Sequence, residues 1–331
     1  MSSPSAAPHT FPAPIGGVPF NQDFAPSILF AFLYAIITII AFYRLARSSS
    51  RCLMFIGTLA FVFERIVIYG LRAHQAHDPS ERASDSLTVY WQMTYSIGYV
   101  SILADIITIL RSFLVNSTYP PKDVPVYSRN DGSDSSLLVG NAADTSYISL
   151  DRPQDDQPRA RFWFRRICGF LALSTWISII LGTVSGLHYV KAETNANQVS
   201  LVQSLRSVSS DQHTTMCYTP SDAVQKIIQI CMHLAGIYPA RLRRSAALIL
   251  FIIATLLNVV SVYRLVVMRL QTPALVSTGP SSLNDPASKA TFYVFQAAPE
   301  WIAAAILVSI NVRQTYGTGM WGDFRSTDKK S

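Results

Sequence analysis

Six long apolar runs dominate this chain and determine the solvent in which it can fold. Each run is close to the roughly 20 residues that an α-helix needs to cross the hydrocarbon core of a bilayer. The runs cover residues 26–43, 52–71, 88–110, 167–187, 246–268 and 290–312. Arginines gather in several of the links between the runs. This alternation predicts a polytopic membrane protein.

Composition supports a membrane location and excludes another function class. Only 14% of the 331 residues are charged, whereas a soluble globular domain has about 25%. The net charge of +7 and the pI of 9.3 are compatible with nucleic-acid binding. The basic residues, however, lie beside the apolar runs and form no separate basic domain. We therefore predict contact with a cytoplasmic lipid surface and no nucleic acid.

A seventh span is less evident from hydropathy. Residues 222–238 (DAVQKIIQICMHLAGIY) have an apolar face but also carry Gln225, Lys226, Gln229 and His233. Such a pattern is typical of an amphipathic helix at a membrane surface. Hydropathy alone therefore leaves two interpretations of this segment open.

The arginine groups decide between them. The groups are Arg44/Arg47/Arg51, Arg159/Arg161/Arg165/Arg166 and Arg241/Arg243/Arg244. Seven spans with an outside amino terminus place all three groups in the cytoplasm, where short loops carry excess Lys and Arg. Six spans would place the third group on the outer face. The sequence therefore predicts an all-α bundle of seven transmembrane helices, with the amino terminus outside and the carboxyl terminus cytoplasmic.

This topology gives five segments. They are a short extracellular Pro/Ser-rich tail at 1–25, transmembrane helices 1–3 at 26–115, a disordered cytoplasmic loop at 116–160, transmembrane helices 4–7 at 161–312 and a cytoplasmic tail at 313–331. The loop is rich in Pro, Ser, Asp and Gly and has few large apolar residues, so it cannot bury enough surface to fold alone. Cytoplasmic partners are expected to bind at this loop.

No pattern points to a metal, a cofactor or catalysis. The four cysteines show neither a CxxC motif nor Cys/His zinc spacing, and His74 and His77 lack a third ligand in the sequence. Cys217 has no evident partner on its side of the membrane. We also find no nucleophile–base pair and no histidine box. We therefore expect no metal, no cofactor, no structural disulfide and no enzyme activity.

Ionisable residues inside the spans are the candidates for function. They are Glu64, Arg65, Asp105, Arg264 and Glu300. A charge at the bilayer centre costs about 2.5–3.5 kcal/mol even on insertion scales, so such residues face the bundle interior and form pairs or line a cavity. In a structural interpretation, Glu64 or Asp105 pairs with Arg65. In a functional one, the acids Glu300 and Asp105 leave net negative charge for a proton or a cationic substrate.

Helical periodicity places the two deeper acids on polar stripes. Trp91, Tyr95, Gly98 and Asp105 share one face of the third span. Tyr293, Gln296 and Glu300 share one face of the seventh. Pro299 removes one helical hydrogen bond and frees the carbonyl of Phe295, which predicts a kink beside Glu300. Arg264 lies near the outer end of its span, where a long side chain can snorkel.

The last two spans resemble a known family. The matching residues are Ser261, Tyr263, Arg264, Phe292, Tyr293, Phe295, Ala297 and Pro299. In this spacing they resemble the fungal lipid-translocating exporters, seven-helix proteins linked to resistance against aminosterols and sphingoid bases. The chain departs from the family pattern at Val260, Val267 and Gln296, where that pattern has Arg, Glu and Asp. The resemblance implies an amphipathic lipid substrate of the sphingoid-base or sterol type.

Two functions from different classes remain open. The protein moves or exports amphipathic lipids, or it is a seven-helix plasma-membrane sensor or scaffold that signals through its cytoplasmic loop without transport. Membrane lipids are the expected partners, and the plasma membrane is the default location. The substrate-binding or proton-relay candidates are Glu300, Asp105, Glu64, Arg65, Gln296, Tyr293, Tyr263 and Arg264.

Overall fold

A computed structural model describes most of the predicted spans. The described residues are 10–47, 50–82, 84–119, 156–208, 244–279, 281–318 and 322. Within them, six helical segments are long and apolar enough to cross a membrane. The all-α, multi-pass prediction is thereby confirmed. The doubtful span at 222–238, and residues 120–155 of the predicted loop, lie outside the described residues.

Ten helices and one small sheet make up the described fold. The helices are α1 (Phe24–Ala46), α2 (Ile56–His77), α3 (Asp85–Ser117), α4 (Pro158–Leu187), α5 (Lys191–Thr194), α6 (Ala196–Val208), α7 (Arg244–Val267), α8 (Pro286–Phe292), α9 (Ala298–Ser309) and α10 (Val312–Tyr316). The strands β1 (Phe11–Pro12) and β2 (Gln271–Thr272) form an antiparallel pair. Short 3₁₀ turns precede α1 and α2 and follow α2, at Asn21–Asp23, Leu53–Phe55 and Pro79–Glu81.

Helix α3 lies at the centre of the bundle. Its apolar window is 67% buried, whereas that of α4 is 22% buried. Large side chains on α4, such as Phe170 and Trp176, are exposed. A helix that is apolar all round and poorly covered by protein suits contact with lipid. The polar groups that matter for a site are therefore those facing α3.

Helix α4 runs antiparallel to α3. At the carboxyl end of α3, the Nε atom of Arg161 donates to the hydroxyl of Thr118 at 3.0 Å. At the other end, a Cβ on Gly186 would lie 2.8 Å from the Cα of Met93. Glycine allows the two backbones to approach this closely, as small residues do between membrane helices.

Helix α7 also runs antiparallel to α3, and therefore parallel to α4. Near its end, Arg264 donates to the carbonyl of Ser96, in the first half of α3, at 3.2 Å. At its start, the carbonyl of Ala246 accepts from the hydroxyl of Tyr316. The carbonyl of Tyr316 in turn accepts from Asn116 at the end of α3. Two described spans that follow each other in the chain thus run in the same direction.

The segment before α1 packs against the bundle. Strand β1 pairs with β2, just after α7, and the amide of Ala13 donates to the carbonyl of Leu270 at 2.8 Å. Phe11 and Val18 are buried in a small apolar cluster with Tyr189 and Val202. The sequence predicts only a short tail at 1–25. The described residues from 11 onwards cover one end of the bundle.

The last spanning helix is interrupted where proline predicts it. Between α8 and α9, residues Tyr293–Ala297 form a π-helical turn that ends two residues before Pro299. The disturbance expected at Phe295 is therefore present as a π turn, a feature frequent at functional sites. At the start of α8, hydrogen bonds from Ser288 lower the pKa of Asp285, so this carboxylate caps the helix in its charged form.

Candidate functional site

An ion pair joins α2 and α9 in the interior of the bundle. The Nη2 atom of Arg65 lies 2.9 Å from Oε2 of Glu300, and Nε donates to the same oxygen at 3.1 Å. Both side chains are at most 1% exposed. The structural interpretation, in which Arg65 pairs with Glu64 or Asp105, is wrong, because the carboxylate that contacts Arg65 is that of Glu300. Glu64 is only partly buried.

Aromatic rings and a glycine make room for the arginine. Its guanidinium carbon lies 4.6 Å from the ring centre of Phe61 and 5.3 Å from that of Tyr95, which is cation–π distance. A Cβ on Gly98 would lie 2.2 Å from the Nη2 atom of Arg65. The glycine in the predicted α3 stripe therefore lets the guanidinium lie directly against the helix backbone.

Three buried tyrosine side chains lie close to this ion pair. The hydroxyls of Tyr34, Tyr69 and Tyr95 are buried and have no hydrogen-bond partner within the described part of the chain. The same holds for Nη1 of Arg65 and Oε1 of Glu300. Buried polar atoms are nearly always hydrogen-bonded, so a group of exceptions in one place needs a physical explanation.

Gln296 is also fully buried, one turn before Glu300. Together with the side chains described above it forms the central polar cluster. Its members are Tyr34, Arg65, Tyr69, Tyr95, Gln296 and Glu300. Three of them, Tyr34, Arg65 and Glu300, lie close to the middle of their spans. The cluster is therefore a polar site at mid-depth, supplied by α1, α2, α3 and the π-interrupted helix.

Asp105 lies apart from this cluster. Its Oδ2 atom accepts from the amide of Thr58 at 2.6 Å and from the hydroxyl of Thr58 at 2.7 Å. Thr58 is in the first turn of α2, where amide groups lack helical partners and the helix dipole favours an anion. Seven residues, about 10 Å of helix, separate Thr58 from Arg65. The geometry gives Asp105 a capping role and does not bring it to Glu300.

A second buried network, the amino-terminal charge cluster, comprises Asp23, Arg72, Lys289 and Tyr293. The two oxygens of Asp23 contact different cations, Arg72 at 3.0 Å and Lys289 at 3.0 Å. The hydroxyl of Tyr293 donates to Oδ1 of Asp23 at 3.0 Å and accepts from Nε of Arg72 at 3.2 Å. One carboxylate thus links the segment before α1 to α2 and α8.

The two cations also hold the backbone of the amino-terminal segment. The carbonyl of Gly16 accepts from Arg72 at 2.6 Å and from Lys289 at 2.9 Å. Gly17 has φ +61°, and a Cβ there would lie 2.3 Å from the carbonyl oxygen of Leu283. Tyr293 is the one member of this network among the candidates predicted from the sequence. The available signals were the Gly16-Gly17 pair and Asp23, the one acid before the first apolar run.

Arg264 is buried, so the prediction that it snorkels to the surface is wrong. It is 4% exposed, its Nη1 atom donates to Ser96, and its guanidinium lies 4.8 Å from the ring centre of Tyr99. Its Nε atom has no partner in the described residues. The neighbouring Tyr263 stacks on Phe295 of the π turn, with ring centres 6.5 Å apart.

These positions reverse the predicted sign of the buried charge. In the half of the bundle that carries the amino terminus, the buried ionisable residues of the described chain are four cations and two acids. They are Arg65, Arg72, Arg264 and Lys289 against Asp23 and Glu300. Counting the distant Asp105 leaves the cations in excess. The net negative charge inferred from sequence is therefore wrong.

Comparisons and composition define only the class of protein. Among the described residues, no group of three or more His, Cys, Asp or Glu side chains could hold a metal. A comparison with known proteins found no matching family model, no matching curated protein and no matching solved structure. The chain is a multi-pass membrane protein with a buried polar cluster, and its resemblance to the lipid exporters stays a prediction.

Proposed function

We propose that this protein moves amphipathic lipids across the membrane by receiving their head groups at the central polar cluster. The observation that carries the proposal is the group of buried polar atoms without partners, in the middle of spanning helices. A lipid head group crossing the bilayer needs hydrogen bonds where the hydrocarbon offers none. The cluster offers hydroxyl, carboxylate and guanidinium groups at that depth.

A purely structural role accounts less well for the tyrosines. An ion pair that only joins helices needs its own lone pairs and protons satisfied. Each buried hydroxyl left without a partner costs about 1–3 kcal/mol, and phenylalanine would fill the same space without that penalty. Three such hydroxyls around one ion pair favour a role in binding a polar group.

The resemblance to the lipid-translocating exporters supports the same class of substrate. Its matching residues surround the site: Phe295 is in the π turn, Pro299 adjoins Glu300, and Tyr293 is in the amino-terminal charge cluster. A lipid tail can stay among lipid-exposed helices while its head group enters the bundle. Long-chain amphiphiles are therefore the substrate class to test.

Helix directions support a seventh crossing as part of this proposal. Helix α4 ends on the face that carries the amino terminus, and α6 packs on that face through Val202. Helix α7 runs parallel to α4, so it begins on the opposite face. A crossing between residues 208 and 244 is therefore part of the proposal. The described basic residues Arg44, Arg47 and Arg313 lie at that opposite face, which favours a cytoplasmic assignment for it.

Cysteine labelling tests this topology. In a chain whose four native cysteines are replaced by alanine, we expect Asn197→Cys to react with a membrane-impermeant maleimide added outside intact cells. Ser245→Cys, at the start of α7, is expected to react only after permeabilisation. Both positions are exposed in the described structure. Labelling of both residues from the same side would contradict the seventh crossing.

Lipid movement tests the function. In proteoliposomes with fluorescent lipids, dithionite quenching from outside measures transfer between leaflets. We expect the purified protein to accelerate transfer and Tyr69→Phe to slow it about tenfold, the effect of one lost hydrogen bond to a polar head group. Because the Tyr69 hydroxyl has no partner in the described residues, its removal should not lower the thermal stability. This variant is more informative than Glu300→Gln, which also breaks the ion pair.

The matched control is Tyr43→Phe, near the carboxyl end of α1, where the ring is exposed. Its transfer rate is expected to equal that of the parent. Equal rates for Tyr69→Phe and the parent would contradict a binding role for the cluster. If the parent protein itself moves no lipid, transport is wrong and the sensor alternative gains support. Deletion of residues 120–157 would then be expected to abolish signalling, whereas a transporter should keep moving lipid.

A further inference from the structure

The buried cations of this protein point to the charge of the head group it receives. Arg264 is the clearest case, because its guanidinium is 4% exposed and no carboxylate of the described residues lies within ion-pair distance. The contacts that hold it are one backbone carbonyl and the face of Tyr99. Its Nε atom is buried and unbonded in the described chain. Glu300 acts on Arg264 electrostatically but makes no ion-pair contact with it, so among the described residues no planar anion meets the donors of Arg264.

The surroundings of Arg264 show where such an anion would lie. Arg264 contacts α3 at Ser96 and Tyr99, while Arg65 lies against Gly98 on the same turn of α3. Arg65 also has a buried, unbonded Nη1 atom. Its only carboxylate partner among the described residues, Glu300, has already contributed one oxygen to it. Two guanidinium groups thus approach one turn of the central helix with donors unused.

We infer that the head group received by this site is anionic, a phosphate or carboxylate held chiefly by Arg264. The inference rests on the proposed lipid-binding function and changes its substrate class, since the sequence favoured a cationic amine. The excess of buried cations over acids supports it, because an uncompensated charge in the bilayer is stabilised by a partner of opposite sign. Charge-assisted hydrogen bonds to phosphate are among the strongest that arginine makes.

Binding in nanodiscs separates this inference from transport. The full-length protein, in neutral phosphatidylcholine nanodiscs, is titrated with three fluorescent lipids: phosphatidic acid, diacylglycerol and sphinganine. These probes carry a phosphate, a hydroxyl and an amine. We expect phosphatidic acid to bind at least about tenfold more tightly than diacylglycerol, as one charge-assisted hydrogen bond would give. Equal binding of these two lipids, or tighter binding of sphinganine, would overturn the inference.

Arginine variants assign the preference to its residue. Arg264→Gln is expected to reduce the preference for phosphatidic acid to less than about threefold, and Arg264→Lys to retain part of it. The control is Arg269→Gln, five residues further on and exposed, which should bind like the parent. A full preference in Arg264→Gln would overturn the assignment. If Arg264→Gln does not fold, the parent titrations still test the preference for an anionic lipid. A partial loss of that preference in Arg264→Lys still tests its assignment to Arg264.

Failure of the proposed transport function gives a different result from failure of the inferred preference for an anionic head group. A protein that prefers phosphatidic acid in nanodiscs but moves no lipid in proteoliposomes binds an anionic lipid without transporting it. A protein that moves all three lipids equally transports lipid without the inferred selectivity. The two outcomes contradict different statements.

Discussion

Replacing Arg65 with methionine is expected to lower the free energy of unfolding by about 3–5 kcal/mol, the effect of breaking a buried ion pair from one side. The loss arises because Glu300 would remain fully buried, with no cation of the described residues in ion-pair contact. Methionine keeps most of the side-chain volume beside Phe61 and Gly98, so the change tests charge more than packing. Reversible unfolding of the purified protein in mixed micelles measures it.

The neighbouring acid provides the control for this variant. Glu64 precedes Arg65 in the chain but is only partly buried, so Glu64→Gln is expected to change stability by no more than about 0.5 kcal/mol. The double variant Arg65→Met with Glu300→Met removes both charges and should recover most of the loss. A Glu64→Gln variant as unstable as Arg65→Met, or a double variant worse than either single change, would contradict the assigned pairing.

The ion pair shows what a single sequence can and cannot predict. That Arg65 and Glu300 face the interior follows from the cost of charge in lipid, and the structure agrees. Which acid meets Arg65 does not follow, because 235 residues separate the partners and sequence neighbours lie on different faces of a helix. The sequence likewise does not predict that the tyrosine hydroxyls of the cluster lack hydrogen-bond partners, because tyrosine in a span is typical of an interface anchor.

Helix ends and the amino-terminal segment were harder to predict. Helix α3 continues to Ser117 and α4 begins at Pro158, beyond the apolar runs at 88–110 and 167–187, because polar helical turns continue outside the hydrocarbon. Residues 11–18 have no helical or alternating apolar pattern, yet all eight are buried. Their conformation depends on distant partners such as Lys289, and hydropathy cannot detect such contacts.

Replacing Asp23 with asparagine is expected to cost about 3–5 kcal/mol of stability, again by leaving buried charge without its partner. Two cations on different helices, Arg72 and Lys289, would lose the same carboxylate. Because both also hold the carbonyl of Gly16, the segment before α1 should detach more readily. Limited proteolysis after residue 10 and the unfolding midpoint measure the two effects.

A second substitution distinguishes an electrostatic effect of Asp23→Asn from a packing effect. Adding Lys289→Met to Asp23→Asn removes one of the two orphaned cations and is expected to restore part of the lost stability. Asp285→Asn is the matched control, because Asp285 is only partly buried at the same face and asparagine also caps a helix. An Asp23→Asn protein with unchanged midpoint and unchanged proteolysis would show that the buried acid does not hold this segment. The β1–β2 pairing and the apolar cluster would then be sufficient to hold the amino-terminal segment on the bundle. Arg72 and Lys289 would be available to bind an anion that enters from outside.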